Sequence, residues 1–123
     1  MPRTARQVLG AAGEQAAEAL LAREGYVVLA RNYRWPGGEA DLVALDGLTV
    51  VFVEVKTRCN EEFGTPFEAV TWRQRRRISR TAQHFLLRHH LAERAVRFDV
   101  VGVWMDDGRL RCELIRGAFD GVE

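Results

Sequence analysis

Gly38-Glu39-Ala40-Asp41-Leu42-Val43-Ala44-Leu45-Asp46-Gly47-Leu48-Thr49-Val50-Val51-Phe52-Val53-Glu54-Val55-Lys56 is the stretch on which the fold turns. Two apolar runs flank Asp46-Gly47, a two-residue hairpin signal whose residues tolerate positive φ. The pattern predicts strands over residues 39–45 and 48–58, the second dense in Val and Phe. Paired antiparallel, they place Asp41 beside Glu54. Glu54 and Lys56 share one strand face, and Val55 points the other way.

Working upstream, residues 26–34 read as another strand, closed by the turn Trp35-Pro36-Gly37-Gly38. Residues 8–24 are rich in Ala, Leu and Glu and free of Pro, which predicts a helix stopped at Gly25. Downstream, residues 59–70 are irregular and contain Gly64 and Pro66. Thr71-Trp72-Arg73-Gln74 then matches a capping box and opens a helix to about residue 91. Residues 96–105 form a fourth main strand, and Asp106-Asp107-Gly108 turns it into a short fifth over 109–115. Three consecutive strands joined by tight turns make a meander, and the second helix carries the chain to the fourth strand. The expected fold is an α/β sandwich of order αβββαβ, a mixed sheet between helices, with an extra C-terminal hairpin strand.

The 123 residues suit one domain, with no repeat, linker or low-complexity tract. With 47% hydrophobic residues the chain can bury a core, so disorder is excluded. No apolar run approaches the roughly 18 residues of a membrane span, and the opening residues do not form a signal core. No membrane partner and a cytoplasmic location are therefore expected. Cys59 and Cys112 are far apart and lack zinc spacing, consistent with reduced thiols.

Net charge is only +1, but its distribution is polarised. Between positions 69 and 92 there is no acid, while Arg73, Arg75, Arg76, Arg77, Arg80 and Arg88 all fall there. Seventeen of the 18 basic residues are arginine; Lys56 is the exception. A sequence that writes Arg elsewhere and Lys here points to a need for a compact ammonium on a flexible stem.

Two charges on one face of the most hydrophobic strand are expensive unless they are paired or functional. Asp41 and Glu54 side by side repel, which raises a pKa unless a cation lies between them. Two readings fit. One is a cross-strand salt bridge of Asp41 or Glu54 with Lys56. The other is a pair of hard oxygen ligands for Mg²⁺ or Mn²⁺, with Lys56 stabilising developing negative charge.

Asp41, twelve intervening residues, then Glu54-Val55-Lys56 resembles the D…(D/E)xK signature of the PD-(D/E)XK, or restriction-endonuclease-like, nuclease superfamily. Gly13-Glu14, residues 38–42, residues 51–58, Phe63-Gly64, Glu68-Ala69-Val70-Thr71 and Arg97-Phe98-Asp99-Val100-Val101 extend the likeness from about residue 10 to 119. Together they resemble the bacterial YraN family, small uncharacterised proteins similar to archaeal Holliday-junction resolvases. That resemblance implies an αβββαβ fold and a Mg²⁺- or Mn²⁺-dependent endonuclease acting on branched or damaged DNA. Asp41 and Glu54 are then metal ligands, with the Val55 carbonyl as a third oxygen and Lys56 as the catalytic lysine. Glu14 is implied as a further ligand. By periodicity alone, Val8, Leu9 and Leu20 centre the apolar face elsewhere and make Glu14 a solvated helix glutamate. Glu39 reads equally as an extra carboxylate or a solvated strand end. A homodimer is implied only by the likeness to the resolvases.

The chain departs from the family at Gln74, where a lysine commonly opens the second helix. Gln74 can cap the helix or hydrogen-bond a phosphate, but brings no charge; Arg73 or Arg75 are the candidate substitutes. Arg73, Arg76, Arg77 and Arg80 lie on one helix flank, opposite Ile78, Ala82, Phe85 and His89, and phosphate contact is expected there. No base-reading motif accompanies them, so structure-selective or non-specific binding is expected. Tyr33 and Trp35 are read as packing under their turn, His84 and His90 as exposed, and His89 as a hydrogen-bonded core histidine. A non-catalytic nucleic-acid-binding accessory and a purely structural domain are the competing classes.

Overall fold

The structure is a computed structural model, and it describes residues 2, 4–58 and 70–122. Its elements are α1 (Ala5–Arg23), β1 (Val27–Trp35), β2 (Gly38–Asp46), β3 (Thr49–Arg58), α2 (Trp72–Arg88), β4 (Val96–Asp106) and β5 (Arg109–Phe119). This is the αβββαβ order with a C-terminal hairpin strand. The single five-stranded sheet runs β1-β2-β3-β4-β5. β3 and β4 are parallel and every other pair is antiparallel, because β1, β2 and β3 are joined by tight turns whereas α2 returns the chain to start β4 in the same direction. The irregular stretch, with Cys59, Phe63, Gly64, Thr65, Pro66, Glu68 and Ala69, lies outside the described residues.

Each sheet face is covered by one helix. Against α1 pack Leu42, Ala44, Val51, Val53, Val101 and Val103, meeting Ala17 and Leu21. Against α2 pack Val43, Val50, Phe52 and Val100, meeting Ile78, Ala82, Phe85 and Leu86. Odd and even positions of β3 thus feed opposite cores, which is why that strand is apolar almost throughout. Removing Phe52, wholly buried between α2 and the sheet, costs about 3–5 kcal/mol on the scale of other core Phe→Ala changes.

Several boundaries differ from expectation, each for a local reason. α1 begins near residue 5 because Thr4 and Gln7 form a second capping box, with reciprocal bonds of 2.9 and 3.1 Å. Its buried stripe is Gly13, Ala17 and Leu21, while Val8 is exposed, so the apolar face lies one step beside the one that Val8 and Leu9 suggest. α2 stops at Arg88, since His90 takes φ 56° and the Leu91 N–H turns back to the Leu86 carbonyl. β5 runs on to Phe119 because Phe119 stacks on Phe98 across a bulge. Asp99, fully buried, fills that bulge by accepting from the Gly117 N–H at 2.9 Å.

Candidate active site

β2 and β3 pair with Leu42 opposite Val53. One step further along this register, Asp41 faces Glu54. The two carboxyls share a side-chain hydrogen bond, and Asp41 Oδ2 also accepts the Val55 N–H at 2.8 Å. Alternation along β3 puts Glu54 and Lys56 opposite Val53 and Val55, which pack with the α1 core.

The electrostatics follow from that placement. Burial, then the adjacent Asp41 charge, push the Glu54 carboxyl up to about 8, and Lys56 offsets part of this. Asp41 is also raised, first by burial, but the Val55 N–H and Lys56 hold it down. The shared proton therefore rests on Glu54 and is donated to Asp41. Lys56 forms no ion pair within 4.0 Å with a described residue, so the cross-strand salt bridge is not what holds this pair.

Glu14 approaches from α1. Its carboxyl is raised by partial burial and then by the Asp41 charge, with Arg34 acting against both. Gly13 permits the approach: a Cβ there would stand 2.6 Å from Thr57 Oγ1. Glu39, by contrast, is a rim residue, 56% exposed and ion-paired with Arg34 across β1–β2 at 3.3 Å.

Among the described residues no three His, Cys, Asp or Glu side chains gather tightly enough to hold a metal by themselves. The carboxyl pair suits a weaker demand. Mg²⁺ is usually held by one or two carboxylates, with water and substrate phosphate completing its shell. Two half-buried carboxyls side by side, both pushed up by burial and Glu54 also by the Asp41 charge, are a donor set of that kind.

On α2, Arg73, Arg76, Arg77 and Arg80 are exposed and unpaired with any described acid. Arg75 is set apart from them: half-buried, it donates to the Val70 carbonyl at 3.3 Å and lies over the Phe119 ring. Gln74 Oε1 accepts the Thr71 N–H at 3.0 Å, closing the capping box. Tyr33 packs edge-on to Phe85, and Trp35 stacks on His84 while donating to Thr81 Oγ1 at 2.9 Å.

The histidines correct two expectations. His84 is half-buried, its Nδ1 2.7 Å from the Tyr33 hydroxyl, whereas His89 caps α2 at the surface with its ring on Phe85. Tyr33 and Trp35 of β1 cover His84, while His89, as the C-cap, stays exposed and keeps its ring contact with Phe85.

A second polar cluster escaped the residue-pattern reading. Asp99 accepts from Tyr26 Oη at 2.6 Å and from Arg97 Nε at 2.9 Å, and Arg97 also reaches Asp46 at 2.8 Å. Burial, then the bond to Asp99, push the Tyr26 hydroxyl up to about 12. Charged residues at alternate positions 97 and 99 of an otherwise apolar strand are the available signal. This cluster ties β4 to β2, α1's end and β5.

The sequence model of a family described as "Uncharacterised protein family UPF0102" matches residues 13–103. A UPF0102 protein of Moorella thermoacetica is 50% identical over 116 residues, covering 93% of this chain and 97% of its own. One from Symbiobacterium thermophilum is 52% identical over 112 residues, covering 90% and 95%. One from Frankia alni is 46% identical over 120 residues, covering 97% and 100%.

Proposed function

The chain belongs to the uncharacterised YraN-like family UPF0102, and we propose that it is a Mg²⁺- or Mn²⁺-dependent endonuclease acting on branched or damaged DNA. The observation that carries this reading is the Asp41–Glu54 carboxyl pair, held across β2 and β3 with Lys56 in charge range. Asp41, Glu54 and the Val55 carbonyl would hold the cation, with Glu14 at the margin of the same group. Such a cation, when bound, supplies Lewis acidity to a phosphoryl oxygen and makes water more acidic.

The chain's own groups have separable tasks. Glu54 gives up its proton before it can serve as a ligand, and the Val55 N–H orients Asp41 and acts against the rise that burial gives its carboxyl. The Lys56 ammonium stabilises negative charge on the phosphoryl group as water attacks phosphorus in line and the P–O ester bond breaks. Arg73, Arg76, Arg77 and Arg80 hold neighbouring phosphates without reading sequence.

Incubation with branched, nicked and single-stranded DNA plus Mn²⁺ tests this: wild type cleaves at least one, and Glu54→Ala and Lys56→Ala do not. Equal cleavage by Glu54→Ala refutes the assignment. The second reading, a non-catalytic DNA-binding accessory, is favoured by Gln74, which stands in the capping box where the resembled family carries a lysine. It predicts salt-sensitive binding with no metal-dependent turnover.

A further inference from the structure

Trp72 is not explained by the fold. It is the first residue of α2 and is 60% exposed. The other two tryptophans are covered: Trp35 by His84 and Thr81, Trp104 by the Arg111 guanidinium. Arg76, one turn on, lays its guanidinium over the Trp72 ring, 5.7 Å from the centroid. This indole–guanidinium pair sits beside the exposed Arg73, Arg77 and Arg80, so the largest apolar ring on α2's surface stands within a cationic field.

An aromatic ring and a guanidinium plane at the edge of a phosphate-binding surface are the two groups on which nucleobases stack. Stacking needs a base face, and inside a fully paired duplex both faces are covered by neighbouring base pairs. We propose that Trp72, with Arg76 against it, stacks on an unpaired nucleobase of a DNA strand whose phosphates are held by Arg73, Arg76, Arg77 and Arg80. The site thereby selects forks, gaps and junction arms over intact duplex. This rests on the DNA-binding half of the proposed function and is independent of hydrolysis.

Binding is measured by fluorescence anisotropy in EDTA at about 50 mM salt, where affinity is high and cleavage is silent. The probes are a labelled single strand, a forked duplex and a blunt duplex of equal length. Wild type should prefer the first two. Trp72→Ala should weaken them by about 5- to 100-fold, the loss of one base stack, while leaving the blunt duplex within about twofold. Trp72→Phe should restore most of the loss, because its ring still stacks. Arg76→Ala should weaken all three probes. The proposal is overturned if Trp72→Ala changes nothing, lowers duplex binding equally, or is not rescued by Trp72→Phe. If wild type binds no DNA, the DNA-binding half of the proposed function falls with it. Selective binding without Mn²⁺-dependent cleavage refutes only the hydrolytic half.

Discussion

Glu54 and Asp41 face each other across two strands, and the consequence appears as a pH dependence. The Glu54 carboxyl is raised from 4.5 to about 8 by burial and by Asp41. A group raised in the folded state stabilises the fold below its unfolded pKa, and that stability disappears as pH rises through the folded value. The metal-free protein should therefore lose melting temperature between about pH 5 and pH 9, and Glu54→Gln, which still donates to Asp41, should remove most of that slope. A wild-type slope matching the variant's would show that no buried proton is shared. Mn²⁺ should reverse the trend, because the cation competes with the proton and stabilises more at high pH. The pair was legible in the sequence because strand alternation and the Asp46-Gly47 turn fix its register. Glu14 was not legible from periodicity. Its position depends on Gly13, where the absence of a side chain, and not the presence of an apolar one, sets which face of α1 turns inward.

Two helix starts and one close approach hold the surrounding elements in place. Thr71 and Gln74 cap α2 reciprocally, so Thr71→Ala should cost about 1 kcal/mol in denaturant unfolding. Gln74→Lys, which installs the residue common in the resembled family, gives up half of that box and measures whether charge at this position serves substrate or stability. Gly13→Ala trades about 1 kcal/mol of helix propensity against a Cβ placed 2.6 Å from Thr57 Oγ1. Overpacking of that kind costs about 1–3 kcal/mol, so a net loss of about 1 kcal/mol is expected, and a stabilised variant would contradict the close approach. Element order and pairing were readable from turn residues and hydrophobic runs. Their ends were not. The Thr4–Gln7 box was in plain view but preceded the apolar pattern, and the end of α2 depends on a left-handed His90 that no residue type announces. His89 is exposed as the C-cap of α2, and His84 is half-buried because the Tyr33 hydroxyl and the Trp35 ring cover it.

Across the whole molecule, the proposed function divides the work between acidic β2–β3 positions, for a cation, and the arginine flank of α2, for a polyanion. Four exposed arginines contacting four phosphates give log K against log salt a slope of about −3 to −4, and each Arg→Ala change at 73, 76, 77 or 80 should reduce it by about 1. Arg75→Ala should instead lower stability, since its guanidinium packs on Phe119; an equal loss of slope would return it to the binding flank. The charge polarity was legible by counting, whereas the buried Asp99–Arg97–Tyr26 cluster joins residues up to 73 positions apart and needs the finished sheet to be seen. Everything proposed for the acidic end of the molecule depends on a divalent ion seated between two strands. Anomalous diffraction from crystals soaked in Mn²⁺ above about pH 8, where Glu54 is ionised, should show a peak bridging Asp41 and Glu54, absent from Asp41→Asn crystals. No peak there, or one that survives that substitution unchanged, would contradict the metal site.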